Sequence, residues 1–148
     1  MKPDNRLSAV LHVLLHMAHH GQPLTSEALA GYMRTHPVVV RRTLAGLREL
    51  GYVASSKGHG GGWTLACDLD RITLLDVYRA VGAPPLIALG HQHQDPACLV
   101  AQAVNRALDD GFQAAERLLL ERLAQTRLST LAADFSRHHH PDCTEAPA

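Results

Sequence analysis

The stretch that decides the fold is residues 25–66, TSEALAGYMRTHPVVVRRTLAGLRELGYVASSKGHGGGWTLA. It reads as two short helices, a turn between them, and a glycine-tipped β-hairpin. The second helix opens at Pro37, whose fixed φ and missing N–H suit a first helical position. It closes at Gly51, where a left-handed cap is cheap. Val40, Leu44, Leu47 and Leu50 recur at helical spacing and predict a buried stripe. Val38, Arg41, Arg42, Ala45 and Arg48 then fall on the opposite, solvent-facing side. Three arginines on one exposed helix face are what a helix entering the DNA major groove requires, because guanidinium groups serve both phosphates and guanine edges.

The preceding helix takes Thr25 as its N-cap, and Leu24 and Leu29 stand at the positions of a hydrophobic staple. Residues 31–36 supply the turn, so the pair reads as a helix-turn-helix. Strands are predicted at 52–56 and 63–66, joined by KGHGGG. Four glycines in those six residues remove side-chain bulk and let the backbone approach another surface closely. Lys57 and His59 are the polar side chains at that tip. The candidate DNA-contacting residues are therefore Thr25 and Ser26 at the first helix, Pro37, Val38, Arg41, Arg42 and Arg48 on the second, and Lys57, His59 and Gly60 in the hairpin. A solvated helical hairpin with a loose turn is the plainer reading. The coincidence of helix, helix, hairpin and basic face favours double-stranded DNA as the partner.

The run VVVRRTLAGLRELGYVASSKGHGGGWTLA, followed by ITLLDVYRAVG, resembles the BadM/Rrf-type winged-helix transcriptional regulators. That family includes the iron–sulfur cluster, nitric-oxide and cysteine-metabolism repressors. The likeness extends from Leu7 to about Phe135 and is most specific at the wing ending GGW-x-LA. It implies a mainly α fold with a small β-hairpin: a winged helix-turn-helix head and a long dimerisation helix. It further implies a homodimeric repressor and, in many members, a sensory loop just before that helix. A winged helix used as a protein-interaction module is the alternative.

The rest of the 148 residues is consistent with one head and an appendage. Formal net charge is zero, but its distribution is uneven. Residues 1–66 hold seven Lys/Arg against three Asp/Glu, and residues 67–148 hold seven against eleven. A basic front and acidic rear suit a DNA-facing head, since the local field governs attraction to phosphate. No run approaches a membrane span and no secretory leader is evident, so a cytoplasmic location is expected. Three cysteines argue against a disulfide framework.

A first helix over 5–20 places Leu7, Val10, Leu11, Leu14 and Ala18 on one face and His12, His16 and His20 on another. Histidines four apart can chelate a metal, but spacing alone does not complete a coordination sphere, and no metal is assigned. After the wing, Thr73 and Asp76 form a capping box before a short helix closed by Gly82, with Leu74, Val77, Tyr78 and Val81 as its buried stripe. The expected organisation is a DNA-binding head over 1–82 and a sensory loop over 83–96. A dimerisation helix over 97–126, a returning helix over 127–140 and a tail over 141–148 follow.

Within the loop, Asp95-Pro96 is expected to start the long helix, with Cys98 in its first turn. A helix start favours a thiolate, and protonated His91 or His93 would add to that effect. By the resemblance, cluster-binding members carry three cysteines across this region. Here there is Cys98 alone, with Cys67 after the wing and Cys143 in the tail. No cofactor is therefore expected, an iron–sulfur cluster included. Some members draw a further ligand from the partner's first helix, and His12 stands near that position, so Cys98 and His12 are the sensor candidates. An enzyme built on Cys98 with His91 or His93 is disfavoured, because no oxyanion-hole or substrate-pocket signature accompanies the thiol.

The long helix carries Val100, Val104, Leu108, Phe112, Ala115, Leu119 and Leu123 in one stripe, with Ala103, Ala107, Ala114 and Leu118 beside it. About 30 residues at ~1.5 Å each reach some 45 Å, beyond what the head can cover. A partner copy of the same helix is the simplest cover. Leu131 and Phe135 are expected to pack a final helix back.

Overall fold

The computed structural model describes residues 4–87 and 97–138. Six helices and one hairpin follow in the order α1 (Arg6–His20), α2 (Ser26–Met33), α3 (Pro37–Glu49), β1 (Val53–Ser56), β2 (Gly62–Leu65), α4 (Leu74–Ala80), α5 (Leu99–Gln125) and α6 (Leu128–Arg137). The two strands pair antiparallel, with Val53 opposite Leu65 and Ser56 opposite Gly62. This is a mainly α fold: a winged helix-turn-helix head carrying a long C-terminal helix.

The core is assembled from the apolar stripes of the first three helices. Val10, Val13, Leu14 and Met17 of α1 meet Leu29 and Ala30 of α2 and Val40, Leu44 and Leu47 of α3. Val53, Trp63, Ile72, Val77 and Leu128 close it. Each fully buried leucine or valine contributes about 1.5–3 kcal/mol relative to exposure. Leu50 departs from the expected stripe and is 54% exposed. The helix ends at Glu49, Leu50 is only its C-cap, and the chain swings away at Gly51 with φ 78°. Val53, the first residue of β1, is buried in the core beyond that bend.

Helix α4 has the expected capping box: Thr73 Oγ1 accepts from Asp76 N–H, and the Asp76 carboxylate accepts from Thr73 N–H. Tyr78 donates its hydroxyl to the Pro84 carbonyl at 2.8 Å, fixing the chain beyond the helix. The helix expected to start at Asp95-Pro96 begins instead at Leu99, with Cys98 as N-cap; Asp95 and Pro96 lie outside the described residues. So do His91 and His93, and the tail from 139 onward.

The junction of α5 and α6 is tied to the head by backbone. Leu74 N–H donates to Thr126 O, Leu128 N–H to Ile72 O, and Ser129 N–H to Leu69 O. Leu128 opens α6 and is fully buried, an anchor that the sequence reading left out. Leu131 and Phe135 are half-buried on the returning helix. Helix α5 packs on α4 along one side, where Phe112, Leu120 and Leu123 are half-buried; Ala101 is its single buried residue, while Val100 is 72% and Leu118 68% exposed. No described helix is long and apolar enough to cross a membrane.

Candidate nucleic-acid interface

Three elements meet at the base of the wing. Leu24, the residue before the α2 cap, pairs with Trp63 of β2 through bonds of 2.8 and 3.0 Å in both directions. Gly62 permits this approach, since a Cβ there would lie 2.6 Å from the Leu24 carbonyl oxygen. The Trp63 indole is buried and donates to Ser26 Oγ at 3.0 Å. Arg48, at the end of α3, lies over the same ring at 5.8 Å from its centre and donates to Ser55 Oγ at 3.1 Å. Trp63 thus locks the wing to the start of α2 and the end of α3.

This geometry corrects one sequence assignment. Ser26 is buried and its hydroxyl is engaged by the indole, because the first residue of α2 turns inward against β2. It supports the wing from within and is not a surface contact. Thr25 remains exposed, and its Oγ1 caps α2 by accepting from Ala28 N–H at 3.2 Å. Arg48 is exposed but engaged, so it orients the wing as well as lining the surface.

The remaining candidates lie outward. Pro37 occupies the first turn of α3 half-buried, and Val38, Arg41 and Arg42 are exposed on the helix. Arg41 reaches Glu27 of α2 at 3.5 Å, both side chains solvent-facing. A pair of this kind contributes at most about 1 kcal/mol and yields readily to a phosphate. Arg42 turns to the other side, lining a groove with Arg6, Val39, Thr43 and Gly46. The two arginines therefore flank α3. Lys57, His59 and Gly60 are all exposed at the wing tip, where Gly60 has φ 76°. Sequence reasoning missed His36, whose Nδ1 caps α3 by accepting from Val38 N–H. It also missed Val39, exposed beside Arg42. Histidine is an unusual cap, and Val39 sits between the two apparent faces of the helix, so neither position carries a sequence signal.

The sensor candidates stand apart from this face. Cys98 is exposed at the start of α5 and makes no side-chain capping bond. Cys67 is half-buried and donates to the Tyr52 carbonyl at 3.2 Å. Burial, with Asp68 nearby, pushes its thiol pKa up. His12 is exposed on α1, its Nε2 facing His16 Nε2 at 2.8 Å. His16 is buried against α2, stacked on the Tyr32 ring at 3.8 Å. Burial and the neighbouring His12, His20 and His19 hold His16 down at about 4, so the ring is neutral at physiological pH.

A helix-turn-helix with an adjoining wing and a solvent-facing basic recognition helix defines a winged-helix DNA-binding regulator. The comparisons give the family. Residues 4–134 match the Rrf2 family, described as iron-dependent transcriptional regulators. The chain is 32% identical over 125 residues to YwnA of Bacillus subtilis (strain 168), named as an HTH-type transcriptional regulator. That alignment spans 84% of this chain and 92% of YwnA. A solved transcriptional regulator from Lactobacillus plantarum superposes with TM-score 0.72 at 25% identity, covering 90% of this chain and 91% of that one. A solved DNA-binding protein superposes at 0.64 with 31% identity, covering 85% and 97%. The chain belongs to the Rrf2 family of transcriptional regulators.

Proposed function

We propose that this DNA-binding regulator is a homodimeric repressor that pairs through α5 and grips its operator with α3 and the wing. The observation that carries the dimer is the uncovered apolar length of α5. Val100, Val104, Leu108, Leu118 and Leu119 are all exposed in the single chain. Contiguous apolar surface of that extent marks an interaction site. On DNA, Arg41 and Arg42 serve the major groove, with Val38 available to a thymine methyl group. Lys57 and His59, together with the bare backbone at Gly60, serve the phosphates flanking it. Two heads related by a twofold axis require half-sites about one or two helical turns apart.

Cys98 is the proposed regulatory residue, with His12 of the second copy as its neighbour. A modification at the start of α5 alters the element joining the two heads, and a small rotation misplaces both recognition helices on fixed half-sites. The donor set does not fit the three-thiolate iron–sulfur site that the resemblance associates with cluster-binding members. Between α4 and α5 the chain offers Cys98 alone. The Cys67 thiol is packed into the head and bonded to Tyr52 O. We therefore assign regulation to the thiol and not to a cluster.

Selection of genomic fragments by the purified protein, followed by footprinting, tests this reading. It predicts a protected pair of symmetric half-sites that overlaps a promoter. Protection without symmetry, or no selected sequence, contradicts it.

A further inference from the structure

We propose that His12 and His16 form a binding site for a borderline divalent transition metal of the zinc class on α1. Residues four apart on a helix are neighbours on its surface, and here their Nε2 atoms converge at 2.8 Å. The ring centres are 4.6 Å apart. His16 is preorganised: it is buried, stacked on Tyr32 with the planes 15° apart, and faced edge-on by Phe135. His12 is exposed and free to adjust.

Two imidazole nitrogens on one tetrahedral zinc, each at ~2.0–2.1 Å from it, lie ~3.3 Å apart. A rotation of the exposed His12 ring that opens the present contact by about half an ångström therefore admits the cation. Nitrogen donors select zinc, copper or nickel over magnesium or calcium, which prefer oxygen. This chain supplies two ligands: among the described residues, no group of three or more His, Cys, Asp or Glu gathers to hold an ion. Water fills the remaining positions. His20 is directed elsewhere, its Nε2 meeting Tyr32 Oη at 3.2 Å. Because the site sits against Tyr32 of α2, a bound ion stiffens the support of the helix-turn-helix.

The test is calorimetric titration of zinc chloride into the full chain and into His12→Ala, both stripped with chelator beforehand. The histidine run at 138–140 and Cys143 are present in both proteins, so tail binding cancels in the comparison. The parent takes up one more zinc per chain than the variant, and zinc raises its Tm where the variant's is unmoved. In long-range ¹H–¹⁵N spectra of the parent, the Nε2 resonances of His12 and His16 shift on zinc addition. Equal stoichiometry and affinity in the two proteins, or unshifted Nε2 resonances, would overturn the site and leave the contact as a neutral hydrogen bond.

Discussion

At the scale of single residues, the side chains divide into those that face solvent and those that hold them in place. Ser26 belongs to the second group. Ser26→Ala leaves the Trp63 N–H buried without a partner, which costs about 1–3 kcal/mol. Urea denaturation should show that loss as a lowered midpoint at unchanged slope. Its buried role was not legible in the sequence, because a serine after an N-cap threonine reads as an exposed helix start. The contact that turns it inward comes from Trp63, 37 residues later. The arginines of α3 were legible, since helical periodicity alone puts them opposite Val40, Leu44 and Leu47. The two described cysteines give a second test. Cys67 has its thiol pKa raised by burial, so its thiolate fraction at neutral pH is below that of an ordinary thiol. Its alkylation should lag behind that of exposed Cys98 and accelerate only at more alkaline pH. Mass spectrometry of iodoacetamide-treated protein across pH reads both rates. Faster labelling at Cys67 would remove the basis for choosing Cys98 as the regulatory thiol.

At the scale of elements, the wing meets the chain before α2 through a close backbone pairing, Leu24 with Trp63. A methyl group at position 62 would strike the Leu24 carbonyl, a backbone group that cannot yield without breaking the Leu24–Trp63 pairing. Gly62→Ala should therefore cost at least ~2 kcal/mol and loosen the hairpin. Hydrogen exchange at the Leu24 and Trp63 amides is the direct readout. Protection equal to the parent's would mean that the strand shifts without loss. The sequence announced the wing by its glycines but not which glycine makes the close approach. Two other boundaries were equally hidden. Leu50 fits the α3 stripe by spacing, yet the helix stops before it. Leu128 is fully buried because Ile72 and Leu74 bind the α5–α6 junction, and that pairing joins segments more than 50 residues apart. Local periodicity does not report such long-range backbone bonds.

At the scale of the whole molecule, α5 defines how two heads would be spaced. Its apolar positions were readable from the 3.6-residue repeat; in the single chain Val100, Val104, Leu108 and Leu119 of that stripe remain exposed, with Phe112 and Leu123 half-buried. The variant Leu108→Asp/Leu119→Asp places carboxylates in the proposed seam, where an unpaired buried charge costs several kcal/mol. Sedimentation equilibrium should show monomer with a folded head. An unaltered dimer would put the interface elsewhere. The acidic rear and basic front suit the same arrangement, with the heads presented to DNA and the long helix away from it. Under the proposed function, the basic face of α3 reads the operator. Fluorescence anisotropy on a selected operator over a salt series, comparing the parent with Arg41→Ala/Arg42→Ala, tests it most directly. Affinity should fall at least tenfold and, where both arginines meet phosphate, the salt slope should become shallower by about two. Unchanged affinity and slope in the double variant would contradict it.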